Sequence, residues 1–244
     1  MSHKLLFSIL IATIFSCLFI TAFDTPPSNN PPTVKIIRPL NNSTFDWNAL
    51  VNYNINVSDK EDGNSEYNEI PVNEVVLKVV YLSVAAKVEK YLSGKTNIAD
   101  LESPGLSLIT TSGCFNCHSA KNKLIGPSFE LIARRYPNNT NSVETLSKKV
   151  IHGSTRVWGE IPMPPQPNLK TEQSKEIIRW ILKNSTNPDV TYYVGTEGAF
   201  RTKARPGKDA GKGAYVLIAS YTDHGLKDMS LPGKRGQHSV KLIN

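Results

Sequence analysis

The chain has 244 residues, 39% of them hydrophobic and 20% charged, with a formal net charge of +7. At roughly 150 residues per domain this is one or two globular domains, and the composition excludes a disordered chain, collagen and a polytopic membrane protein. A basic surface can mean nucleic acid, but the lysines are scattered and not interleaved with aromatics, so no nucleic acid is expected.

Lys4 precedes an apolar run over residues 5–20, followed by the small residues Thr21 and Ala22. This pattern predicts a signal peptide over residues 1–22, and with it a periplasmic or secreted protein. The run is shorter than the ~20 residues that span a bilayer, so membrane attachment is expected only if the segment stays uncleaved or is lipidated. Cys17 fits a lipid site poorly, with Phe15 before it and Leu18, Phe19 and Ile20 after it. Residues 23–32 form a proline-rich, extended spacer.

A folded β segment then runs over 33–92. Val51, Tyr53, Ile55 and Val57 alternate with asparagines, which predicts a half-buried strand. Val34 and Ile36 make a shorter strand, and residues 75–82 a third with Val75, Leu77, Val79 and Tyr81 on one face. Over residues 93–188 the period becomes helical. Ser103 is a predicted N-cap with Pro104 at the first helical position. Phe129, Ile132, Ala133 and Tyr136 form one stripe, and Val143, Leu146, Val150 and Ile151 another, closed by Gly153. A last helix starts at Thr171 and buries Ile177, Ile178, Ile181 and Leu182 around Trp180. Strands return over 189–244, at 191–194, 199–203, 214–222 and 238–243. Lys and Arg against Asp and Glu count 6 to 9 over residues 23–94, 12 to 7 over 95–186 and 9 to 5 over 187–244. The basic balance of the last two parts points to acidic protein partners.

Residues 114–118 read Cys-Phe-Asn-Cys-His, the spacing at which two thiols form thioether links to one porphyrin while the next histidine faces its iron. A thioredoxin-like pair would need a strand leading into Cys114, and a zinc site would need further cysteines; neither is present. The cofactor expected is one covalently bound haem c. A sixth iron ligand is sought among Met163, Met229, His152, His224 and His238. Met163 is favoured, because Pro162, Pro164 and Pro165 stiffen its loop without a helix or strand behind it. His152 is the rival.

Residues 103–184 resemble a bacterial class I monohaem cytochrome c of the small electron-carrier type. The resemblance is carried by Gly113-Cys114 with Cys117-His118, Gly126-Pro127, Val157-Trp158-Gly159, Ile161 to Pro165, and Trp180. It implies His118 and Met163 as iron ligands, a Pro127 carbonyl accepting the His118 ring N–H, and Lys149 and Trp158 against a haem propionate. Ile109 stands where an aromatic residue commonly packs, and Gln166 where an asparagine often bonds the methionine sulfur.

The flanks resemble bacterial extracellular Ig-like modules, such as accompany haem domains in exported sugar-dehydrogenase-like proteins. The resemblance rests on residues 30–36, 57–63 and 213–223, with Tyr215 in the place of the tyrosine whose hydroxyl bonds nearby backbone. The fold class expected is multidomain α plus β: an all-α class I cytochrome c domain inserted in, or flanked by, an all-β Ig-like sandwich. Asp59, Glu61 and Asp62 are read as a solvated turn, with Ca²⁺ the lesser reading.

Electron transfer is the leading function, between a dehydrogenase-type donor and a terminal oxidase or reductase, each presenting an acidic surface. An enzyme such as a peroxidase needs an open iron position, which Met163 closes. In the alternative, the β segments are the working part, a binding or docking module that tethers the haem to a larger complex or a carbohydrate-related enzyme.

Overall fold

The computed structural model describes residues 28–93, 98–205, 207, 213–226 and 232–244. The expected signal peptide with Cys17, the start of the spacer, and Met229 lie outside these residues. No helix among the described residues is long and apolar enough to cross a membrane.

Strands β1 (Thr33–Arg38), β2 (Ser43–Thr44), β3 (Leu50–Asp59), β4 (Gly63–Asn64) and β5 (Val76–Leu82) come first. Helices α1 (Val88–Ser93), α2 (Pro104–Thr111), α3 (Phe129–Arg135), α4 (Thr140–His152) and α5 (Thr171–Asn184) follow. The chain then returns to strands β6 (Val190–Val194), β7 (Glu197–Arg201), β8 (Ala214–Thr222) and β9 (Arg235–Ile243).

Strands from before and after the helices share both sheets. In one, β3 pairs with β1, β4 and β7; the other has the order β2-β9-β8-β5-β6. Val51 stands opposite Phe200, and Leu77 opposite both Tyr193 and Ala219. The alternation of β3 does what its period requires: Tyr53, Ile55 and Val57 are buried and join Val34, Ile36, Leu77, Val79, Leu217 and Leu242 in one core between the sheets. The Tyr215 hydroxyl accepts the Lys203 backbone N–H at 2.6 Å.

β5 departs from its expected single buried face, since Val76, Lys78 and Val80 are buried too. Successive side chains of a strand point to opposite faces. Leu77, Val79 and Tyr81 therefore enter the core between the sheets, while Val76 and Val80, with Val216 and Ile218 of β8, join Trp180, Ile177 and Ile181 of α5 in a second core. The helices thus cover the outer face of the five-stranded sheet. At this seam Lys78, 4% exposed, forms an ion pair with Asp100 at 2.7 Å. The Tyr192 hydroxyl donates to the other Asp100 oxygen, and the Trp180 indole N–H to the Asp100 carbonyl at 2.8 Å.

Other differences are local. β7 starts and ends two residues earlier than expected, because Thr202 leaves the ladder and its hydroxyl donates to the Asp46 carbonyl at 2.6 Å. β9 begins at Arg235, where polar Arg235 and Gln237 extend the pairing with β8 without a hydropathic signal. Asn29 and Pro32, at the end of the expected spacer, are buried. The turn at Asp59 is not solvated either: Asp59 is 7% exposed, and its Oδ1 accepts the N–H groups of Glu61 and Asp62 at 2.9 and 2.8 Å.

The helices start as their sequence dictates. The Ser103 hydroxyl accepts the Gly105 N–H ahead of Pro104, Ser128 caps α3 and Asn139 caps α4. α2 crosses α5 at Gly105, where a Cβ would meet the Glu176 carbonyl at 2.4 Å and the Trp180 Cβ at 2.7 Å. No side chain larger than hydrogen fits that crossing.

Candidate functional site

Gly113, at φ 67°, turns the chain out of α2 into a single helical turn, Cys114–Asn116. The His118 N–H donates to the Cys114 carbonyl at 3.0 Å, so both thiols and the imidazole leave one turn. The His118 Nδ1–H donates to the Pro127 carbonyl at 2.6 Å. A carbonyl can only accept, which assigns the proton to Nδ1 and leaves the Nε2 lone pair available. One side of the ring rests against Gly126, where a Cβ would lie 2.5 Å from His118 Cε1. The Phe129 ring also packs on it, with centroids 5.7 Å apart and planes 18° from parallel. Burial pulls the His118 pKa down against the opposing Pro127 bond, keeping the imidazole neutral. Burial pushes the Cys114 thiol up to about 11.

These groups form one wall of a cavity of about 240 Å³. Met163 lines it as well. The Met163 loop is tied down more firmly than its prolines alone would achieve: Met163 N–H donates to the Ser154 carbonyl at 2.8 Å and Ser154 N–H to the Met163 carbonyl at 3.1 Å, an antiparallel bridge. Gly153, φ 80°, makes room for it, since a Cβ there would lie 2.8 Å from the Met163 carbonyl. The apolar floor comes from Leu146, Val150, Ile177, Ile178 and Ile181.

Of the residues singled out from the sequence, Cys114, Cys117, His118, Pro127, Lys149, Trp158 and Met163 all line this cavity. Gln166 does not; its backbone N–H closes the end of α4 on the Val150 and Ile151 carbonyls at 3.0 and 3.2 Å. His152 is likewise absent from the lining. His224, just after β8, bridges Asp62 and Glu74 at 2.9 Å each, and His238 Nδ1 on β9 accepts the Ile36 N–H at 3.1 Å, so neither histidine lines the cavity. Arg135 went unnoticed in the sequence. Its guanidinium lies over the Trp158 ring at 4.6 Å and donates to the Val157 carbonyl at 3.1 Å, fixing the Trp158 loop. An arginine at the end of a helix gives no sequence signal for such a role.

The cytochrome c family model matches residues 103–185. Cytochrome c-551 of Azotobacter vinelandii is 38% identical over 78 residues, which cover 32% of this chain and 94% of the relative. Cytochrome c-552 of Hydrogenobacter thermophilus is 37% identical over 75 residues, 31% of this chain and 76% of the relative. A crystal structure of Nitrosomonas europaea cytochrome c552 aligns at 36% identity over 31% of this chain and 94% of its own, with a TM-score of 0.30. The chain belongs to the cytochrome c family. The matched part is the helical segment, and the β strands lie outside it.

This family carries covalently attached haem c with iron. The residues fit that group: two thiols and a neutral imidazole leave one turn onto an apolar slot, a thioether stands on the same slot, and Gly126 leaves the ring space that a Cβ would fill. The chain is accordingly a c-type cytochrome of the electron-carrying kind.

Proposed function

We propose that this cytochrome carries single electrons outside the cytoplasm, with His118 and Met163 as its two iron ligands and Cys114 and Cys117 as the attachment points. The observation that carries the ligand assignment is that His118 and Met163 line one cavity while the Nδ1–H of His118 is held by Pro127. Nε2 is then the nitrogen free to bind. The haem supplies the one-electron chemistry of its iron.

The residues of the chain do the rest. Pro127 fixes the tautomer and heading of His118; Gly126 and Phe129 hold the ring plane. The Ser154 bridge holds the Met163 backbone so that its thioether stays on the cavity. Lys149 and Trp158 are placed on the same lining, as groups meeting a propionate would be. The apolar floor keeps water from the buried side of the slot.

Donor and acceptor meet the opposite side. Ile161 is 67% exposed and Ile125 55% exposed, and they stand among Lys123, Lys149 and Arg156 on the cavity rim. An apolar edge ringed by cations suits acidic-surfaced redox proteins, for which a dehydrogenase-type donor and a terminal oxidase or reductase are the fitting classes. For the β strands we propose one Ig-like sandwich interrupted by the haem domain. The pairing of Val51 with Phe200, the core shared by both sheets and the Tyr215–Lys203 bond support that reading.

The ligand assignment is tested with Met163→Ala in haem-loaded protein. The near-infrared thioether-to-iron band of the oxidised protein is expected to disappear, and the iron to take up cyanide or carbon monoxide. A band that persists in the variant assigns the ligand to Met229. Strong peroxidase activity in the unmutated protein would favour an enzyme.

A further inference from the structure

Where the chain enters β1, three buried side chains from distant segments each leave one oxygen without a hydrogen-bond donor. Asn29, 3% exposed, precedes β1; Asp59, 7% exposed, ends β3; Asp223, 4% exposed, follows β8. The orientation of the Asn29 amide is settled by its own bonds, since Nδ2 donates to Asp223 Oδ1 at 2.8 Å and to the Pro232 carbonyl at 3.1 Å. Its Oδ1 is buried and has no donor. Asp59 uses Oδ1 for the Glu61 and Asp62 N–H groups and leaves Oδ2 buried without a donor. Asp223 uses Oδ1 for Asn29, Gly225 and Lys234 and leaves Oδ2 in the same condition. Glu61, whose Oε2 is also buried without a donor, flanks them.

Buried oxygens without a donor are costly singly, and more so when several are charged alike. Asp223 and Glu61 both lie near enough to repel the Asp59 carboxylate. Lys234 gives no bond to these oxygens: its ammonium donates to the Asn29 carbonyl at 2.6 Å and its backbone N–H to Asp223 Oδ1 at 3.0 Å. Asp62 stands apart from the group: its Oδ2 accepts the Tyr221 hydroxyl at 2.6 Å and the His224 N–H at 2.9 Å. Among the described residues no three His, Cys, Asp or Glu side chains are grouped as ligands to a metal; the set here instead pairs two aspartates with an amide oxygen.

We infer that Asn29, Asp59 and Asp223 bind a Ca²⁺ ion through these three oxygens, with Glu61 at the rim and water completing the shell. The chemistry selects the ion. All the donors are hard carboxylate or amide oxygens, with no imidazole or thiolate, which disfavours zinc, copper and iron. Ca²⁺ tolerates irregular shells of six to eight oxygens, whereas Mg²⁺ seldom trades its water for a protein cage. The ion would tie the chain entering β1 to the ends of β3 and β8, joining segments on either side of the haem domain.

The test is Ca²⁺ titration by calorimetry of the full haem-loaded chain stripped with chelator, alongside its thermal unfolding. One ion is expected to bind with a Kd of about 0.1–1 mM, the range of extracellular modules, and to raise the melting temperature, with Mg²⁺ giving a much weaker response. Asp59→Asn and Asp223→Asn keep the Oδ1 acceptor that the backbone uses, so the fold is retained. Each should weaken Ca²⁺ binding at least tenfold and leave the haem spectrum unchanged, whereas exposed Glu89→Gln should change neither. The inference is overturned if the wild-type chain binds no Ca²⁺, or if both asparagine variants bind it as the wild type does. It is equally overturned if chelator-treated wild type gains stability at acid pH and shows no response to Ca²⁺, which would mean that a proton holds the two aspartates together.

Discussion

The His118 ring packs against Gly126 and Phe129, with its Nδ1–H on the Pro127 carbonyl at 2.6 Å. Three contacts from one short segment therefore set the heading of the nitrogen assigned to the iron. Gly126→Ala drives a methyl to 2.5 Å from Cε1 and 2.8 Å from Nδ1, closer than carbon atoms approach without something moving. The variant should lose about 1–3 kcal/mol of stability by overpacking, and its haem spectrum should show weakened or heterogeneous His ligation. Denaturant unfolding and the reduced-state absorption bands measure both. An unchanged spectrum would mean that the ring is held by Pro127 alone.

The Lys78–Asp100 pair lies at the seam between sheet and helices, with side-chain exposures of 5% and 11%. Removing one member of a buried pair leaves the other charge uncompensated, at a cost of about 3–5 kcal/mol. Lys78→Met should therefore lower the melting temperature markedly, and Lys78→Met with Asp100→Asn should recover part of the loss. If the single variant is as stable as the wild type, the Tyr192 hydroxyl and the charge of Arg235 suffice to hold the Asp100 carboxylate.

The haem motif was legible because covalent attachment prescribes both residue types and their spacing, and the Met163 loop because three prolines frame it. The seam was not legible. Residues 75–82 present Val75, Leu77, Val79 and Tyr81 on one parity, which suffices to predict a strand, and Lys78 on the other suggests a wet face. Yet Val76 and Val80 share the Lys78 parity, and a run apolar on both parities is the mark of a strand covered on both sides. Nothing local says what covers it, because Trp180 and Asp100 are far along the chain. The same distance hid Asn29 and Asp223 from Asp59, leaving an acidic turn that looked solvated.

β5 draws both neighbours, β6 and β8, from beyond the helices, and β3 draws β7 from there. Deleting residues 190–244 should leave residues 30–92 unfolded, seen as rapid proteolysis and collapsed amide dispersion by NMR. A fragment that stays protected would mean that the first β part folds without its later partners.

A redox titration of the haem-loaded chain, followed by absorption, tests the central claim most directly when wild type is compared with Met163→His. A thioether ligand favours ferrous iron and raises the potential relative to a second imidazole. The wild type is expected to show one reversible one-electron step, and Met163→His a single step at distinctly lower potential. A wild type that fails to cycle reversibly, or a potential unmoved by the substitution, would contradict an electron carrier ligated by His118 and Met163.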